Sequence, residues 1–138
     1  MHTSKDDIFD KLKADECINK FKELGLNTVM LSESIVMENS KGYSDIDIAI
    51  LSENDISLNR ILELEEYLEK FLGTKVDAIN LRDENLDLNL KVNIYDDSMI
   101  IYSDDNLRLY NMEYINTELL YKENEIFMEY QEEPFVDI

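Results

Sequence analysis

The stretch Tyr43-Ser44-Asp45-Ile46-Asp47-Ile48-Ala49-Ile50 decides the fold. Ile46, Ile48 and Ile50 alternate with Asp45, Asp47 and Ala49, which is the pattern of a β-strand whose two faces differ. The alternation predicts a strand over 44–51 and sends both carboxylates out of one face. Two carboxylates side by side repel each other, and such a pair is stable mainly when a cation sits between them. A hard divalent ion such as Mg²⁺ suits them, held by one or two carboxylates together with substrate phosphates. The bland alternative is a solvent-facing strand edge, because a chain with 32 Asp+Glu meets a D-x-D pattern by chance.

Outward from this strand, Thr28 to Leu31, Lys75 to Leu81 and Ser98 to Tyr102 read as further short strands. Asp77 lies mid-strand between Val76 and Ile79, and its carboxylate reaches the acidic pair if the two strands are neighbours. Residues 6–24 read as one amphipathic helix, with Ile8, Phe9, Leu12, Cys17, Ile18, Phe21 and Leu24 at three- and four-residue steps and Gly25 as its C-cap. A helix over 57–72 ends at Gly73. Residues 85–95 fit a short helix or a strand. A long final helix runs from Asp104 to about Tyr130, with Asp104 or Asp105 as N-cap, followed by a tail over 131–138. Strands alternating with helices predict an α/β (α+β) fold: a small mixed β-sheet with flanking helices and a long C-terminal helix.

The chain has 138 residues, 13 Lys+Arg and 32 Asp+Glu, for a formal net charge of −19. That charge repels a phosphate backbone and an anionic membrane surface, so no direct nucleic-acid or membrane partner is expected, whereas a basic protein is attracted. The length suits a single domain over 1–138. Cys17, alone and on the apolar side of the first helix, reads as a buried structural thiol, and a reducing cytoplasm is the expected compartment. The N-terminal segment has no apolar core of a secretory signal. His2 is the only histidine and sits near the start, which excludes His-based triads and His-rich zinc sites. Tyr110, Tyr114 and Tyr121 share a helical face with Leu107 and Met128, by default for packing and otherwise for a partner.

The segment Leu31-Ser32-Glu33-Ser34, ten residues, then Asp45-Ile46-Asp47 resembles the G-S-x10-D-x-D signature of the minimal nucleotidyltransferases, the MNT branch of the DNA polymerase β-like superfamily. Lys75-Val76-Asp77 resembles that family's third-carboxylate strand, and Ser98-Met99-Ile100-Ile101-Tyr102 its closing strand. The resemblance covers about 27–103. It implies the polymerase β-like nucleotidyltransferase fold. It further implies Mg²⁺-dependent transfer of a nucleoside monophosphate, AMP from ATP in the usual case, to an acceptor hydroxyl. Ser34 then holds the triphosphate, Asp45, Asp47 and Asp77 hold metal, and Asp77 also activates the attacking hydroxyl. Small members are often paired with a helical HEPN protein, and several pairs are toxin–antitoxin systems in which the MNT partner adenylylates the HEPN toxin.

The chain departs from the pattern at the glycine, which is Glu33. A glycine lets backbone approach phosphate closely, whereas a glutamate adds bulk and negative charge. Lys41 is the one cation in the loop after Ser34, with Lys75 and Arg82 the other cations near by sequence. The expected function is therefore an MNT-type nucleotidyltransferase antitoxin acting on a HEPN partner. The alternative is a catalytically impaired relative that neutralises a basic partner as an acidic binding module. An antibiotic nucleotidyltransferase is weaker, because the chain is short for a substrate domain.

Overall fold

A computed structural model of the chain describes residues 5–32 and 46–132. The predicted helix over 6–24 is in fact two, α1 (Lys5–Leu12) and α2 (Asp15–Glu23), with Ala14 extended between them at φ −62°, ψ 149°. The cause lies in the apolar spacing. Ile8 and Leu12 are four apart, but Leu12 to Cys17 is a step of five, which in a straight helix turns the stripe by about 140°. The break lets Leu12 and Cys17 both reach full burial. Gly25 stops α2 as predicted, at φ +76°. The Leu26 amide donates to the Phe21 carbonyl (3.0 Å) and the Gly25 amide to that of Lys22 (3.0 Å), which closes a Schellman cap over the Phe21–Leu26 apolar pair.

The chain then runs β1 (Thr28–Ser32), β2 (Ile46–Leu51), α3 (Leu58–Leu72), β3 (Val76–Asn80), α4 (Leu88–Asp97), β4 (Ser98–Ser103) and α5 (Arg108–Glu132). Ser57 caps α3 by accepting from the Arg60 amide (3.3 Å), and Gly73 ends it at φ +73°. The segment that fitted helix or strand is the helix α4, shifted towards its C-terminal side and capped by Asp87, which accepts from the Leu90 amide (3.2 Å).

The final helix starts four residues later than predicted. Asn106 and Leu107 adopt positive φ (+54° and +64°), so the helix cannot pass through them. Asp105 still serves it from outside: its Oδ2 accepts from the Leu109 amide (3.3 Å), while its Oδ1 accepts from Ser103 Oγ (3.1 Å).

The four strands lie in the order β3-β2-β1-β4. β1 is antiparallel to β2 and β4, and β2 and β3 are parallel, joined through α3. The sheet is therefore mixed, as expected. On one face Val29, Leu31, Ile46, Ile48 and Ile50 meet Leu12 of α1, Phe21 of α2, and Leu64 and Leu68 of α3. On the other, Met30, Ala49 and Leu51 meet Ile94 and Tyr95 of α4 and Leu109 of α5. Tyr110 and Tyr114 pack on Tyr95, with centroids 5.6 and 5.1 Å away, and the Tyr114 hydroxyl donates to Asp96 Oδ1 (2.7 Å). Two of the three tyrosines of the predicted stripe thus serve packing.

Candidate functional site

β2 is buried on both faces because it is a central strand with a layer of helices on each side. Asp47 is only 6 % exposed within it. In the parallel pairing Asp47 sits directly opposite Asp77, between the Ile46–Val76 and Ile48–Ala78 pairs. Those flanking pairs face the α1–α3 side, so both aspartates leave the opposite face, at the end where β2 and β3 begin. β2 and β3 are neighbours, the condition under which Asp77 reaches the acidic strand, and the register sets Asp77 opposite Asp47.

The row extends across the whole sheet. One further step in the β1–β2 register, past Leu31–Ile48, places Ser32 beside Asp47. Ser32 in turn pairs with Ser98 of β4. Asp77, Asp47, Ser32 and Ser98 therefore form a polar row over four strands, and the next row inward, Ile79, Ala49, Met30 and Ile100, is apolar. The Oγ atoms of Ser32 and Ser98 are buried and make no hydrogen bond among the described residues. Buried hydroxyls ordinarily find a partner. These two hydroxyls, each able to donate and accept, lie in the same row as the carboxylates. Sequence reading did not single them out as site residues. Their alignment with the aspartates depends on the long-range β1–β4 register, which no local pattern encodes.

β3 is an edge strand, and two of its outward amides are satisfied from α3. Glu69 Oε2 accepts from the Val76 amide (3.1 Å) and Glu65 Oε2 from the Ala78 amide (2.8 Å). These two bonds flank Asp77 and fix the strand that carries it. The i, i+4 spacing of Glu65 and Glu69 on a helix was the signal in the sequence.

Arg82, taken from the sequence as a cation near the site, belongs to the far end of the sheet. Its Nη1 donates to the carbonyls of Ser52 (2.7 Å) and Glu53 (2.8 Å), and its Nε lies 3.5 Å from Glu113. β3 carries the chain from Asp77 to Asn80, about 10 Å at the strand rise, and Arg82 lies in the turn beyond it. Lys75 is at the correct end, its carbonyl accepting from the Ile46 amide (2.9 Å). Ser34, Lys41, Asp45 and Glu33, like His2 and the tail from residue 133, lie outside the described residues. Among the described residues no three His, Cys, Asp or Glu gather as a metal-binding group. The pair of hard oxygen donors at Asp47 and Asp77 nevertheless suits Mg²⁺, which needs only one or two carboxylates beside substrate phosphates.

Cys17 is fully buried, and burial, then Glu16, push its thiol up to about 11. That is the opposite of a nucleophile. Among the described residues no helix is long and apolar enough to cross a membrane.

Residues 15–107 match the family described as polymerase beta, nucleotidyltransferase. The chain belongs to this nucleotidyltransferase family. Its sheet and C-terminal helix are the polymerase β-like nucleotidyltransferase fold. The chain is similar to the protein adenylyltransferase MntA of Thermococcus cleftensis, 38 % identical over 58 residues, which are 42 % of this chain and 59 % of that protein. The chain spans a little over half the length of the curated relatives it matches. Two solved structures share the nucleotidyltransferase fold. One is a toxin–antitoxin with AMP-PNP (TM-score 0.67, 19 % identity, 88 % of this chain and 92 % of that one). The other is from a tri-AMPylated Shewanella oneidensis HEPN toxin in complex with MNT antitoxin (TM-score 0.64, 19 % identity, 86 % and 92 %).

Proposed function

We propose that the chain is an MNT-type nucleotidyltransferase that moves AMP from ATP to a hydroxyl on a HEPN-type partner protein in the cytoplasm, with residues 1–138 acting as one domain. The observation that carries this reading is the Asp47–Asp77 register pair, held on one face at the sheet end in a chain of the nucleotidyltransferase family. The adenylyltransferase name of its relative and the toxin–antitoxin nature of its fold neighbours support the choice of reaction and partner.

In this reading Asp45, Asp47 and Asp77 hold Mg²⁺, and Ser34 and Lys41 hold the triphosphate. The metal would supply charge neutralisation on the phosphates. Asp77 takes the proton of the acceptor hydroxyl, whose oxygen bonds the α-phosphorus as the bond to pyrophosphate breaks. Asp47, nearly buried beside it, keeps its carboxylate in place because β2 is clamped on both sides.

A second reading has its own observation. With Arg82 committed to Ser52, Glu53 and Glu113, and Glu33 in place of the signature glycine, the site is poor in cations. That favours an impaired relative acting as an acidic binding module. Calorimetry with MgATP separates the two. The enzyme reading predicts saturable binding, and label transfer from α-labelled ATP to the partner, both lost in Asp47→Asn and Asp77→Asn. Absence of nucleotide binding, with the partner present, leaves only the binding module.

A further inference from the structure

α5 turns one side to the body and another to solvent. Tyr110, Tyr114 and Thr117 face α4, and among the described residues nothing after Thr117 on this helix is buried. On the opposite side, at 100° per residue, Met112, Ile115, Leu119 and Ile126 form a stripe between 45 and 60 % exposed. Leu120 and Phe127 widen it. Six of the eight exposed large apolar side chains among the described residues are on this one helix. Beside the stripe a groove of about 340 Å³ is lined by Tyr114, Ile115, Glu118, Leu119 and Lys122.

Met112, Leu119 and Ile126 recur at seven-residue steps with Ile115 between the first two, which is the spacing of a helix that packs along another helix. Exposed apolar area of this extent marks an interaction surface. Charge identifies the occupant. Glu118, Glu123 and Glu125 accompany the stripe, against Arg108 and Lys122, while Glu113 is turned to the body and pairs with Arg82. A second copy brings another −19 to the same place and is repelled. A different protein whose apolar ridge is rimmed with lysine and arginine complements both the stripe and its flanks.

We infer that the outward face of α5, from Met112 to Phe127, is the docking surface for a basic helical partner, and that this surface is separate from the carboxylate row. The inference rests on the reading of the chain as partner of a HEPN-type protein, and names where that partner binds.

The test mixes the purified full chain with the purified HEPN-type protein proposed as its partner and measures the complex by calorimetry and by hydrogen exchange. The expected results are protection of the Met112–Phe127 amides and, in Ile115→Glu/Leu119→Glu, at least about tenfold weaker binding, as central apolar anchors give. Leu58→Glu, at a still more exposed leucine on α3, leaves binding unchanged. Rising KCl weakens the native complex. MgATP binding by the α5 variant stays at the native level, which also shows that it folds. Undiminished partner binding by that variant, protection elsewhere, or a self-dimer of the chain that Ile115→Glu dissolves overturns the surface. No complex with the native chain overturns the HEPN reading and the surface together, while MgATP binding reports separately on the nucleotide site.

Discussion

Asp47 and Asp77 sit one strand spacing apart, in a polar row whose next row inward is apolar. A divalent ion bound between them is bound by the folded chain alone, so it raises the unfolding midpoint by mass action. Millimolar MgCl₂ or MnCl₂ is expected to raise the Tm of the native chain by a few degrees. With about 200 mM KCl already present to screen the general charge, the same salts leave Asp47→Asn and Asp77→Asn unmoved in differential scanning fluorimetry. Cys17 gives a second residue-scale prediction. Its thiol ionises near pH 9 when free and near 11 in the folded chain. From about pH 9 upward the unfolded chain releases a proton that the folded chain keeps. Stability therefore falls as pH rises through that window and levels off above it, and a Cys17→Ala chain shows a shallower fall in urea titrations. Asp47 and Asp77 were each legible as strand residues because alternation is a local fact, whereas their pairing depends on the β2–β3 register. Ser32 and Ser98 were not legible as site residues, and Arg82 was misplaced, because nearness to Asp77 in sequence means distance along a strand.

At the level of elements, the α3–β3 contact shows how a helix can finish a sheet. Glu65 and Glu69 occupy the outward amides of an edge strand that would otherwise stay open to pairing with another chain. Glu65→Ala is expected to cost about 1–2 kcal/mol in denaturant unfolding, as a charge-assisted hydrogen bond does, and to lower affinity for MgATP by loosening the strand under Asp77. Glu65→Gln, which keeps an acceptor, costs less. Most elements were legible: β1 to β4, α3 and its Gly73 cap follow from periodicity and cap chemistry. The break between α1 and α2 was written in the five-residue step from Leu12 to Cys17. The late start of α5 was not written locally, since Leu107 at positive φ is held by its amide's bond to Ser103 Oγ (2.9 Å) and by the strand that carries that serine.

For the molecule as a whole, the charge of −19 is a standing internal repulsion. Monovalent salt screens it. Raising KCl from about 10 to about 200 mM is expected to raise Tm by a few degrees even without divalent ions, a scan that separates general screening from occupancy at Asp47 and Asp77. The sheet order has a kinetic consequence. Asp47 and Asp77 lie on adjacent strands that only the α3 crossover joins, and Ser32 meets Ser98 only when the last strand inserts at the other side. No fragment ending before β4 contains the full polar row. On a ribosome, a nascent chain therefore acquires its carboxylate pair first and its serine pair last, and a chain truncated before Ser98 is born without the finished floor of its site.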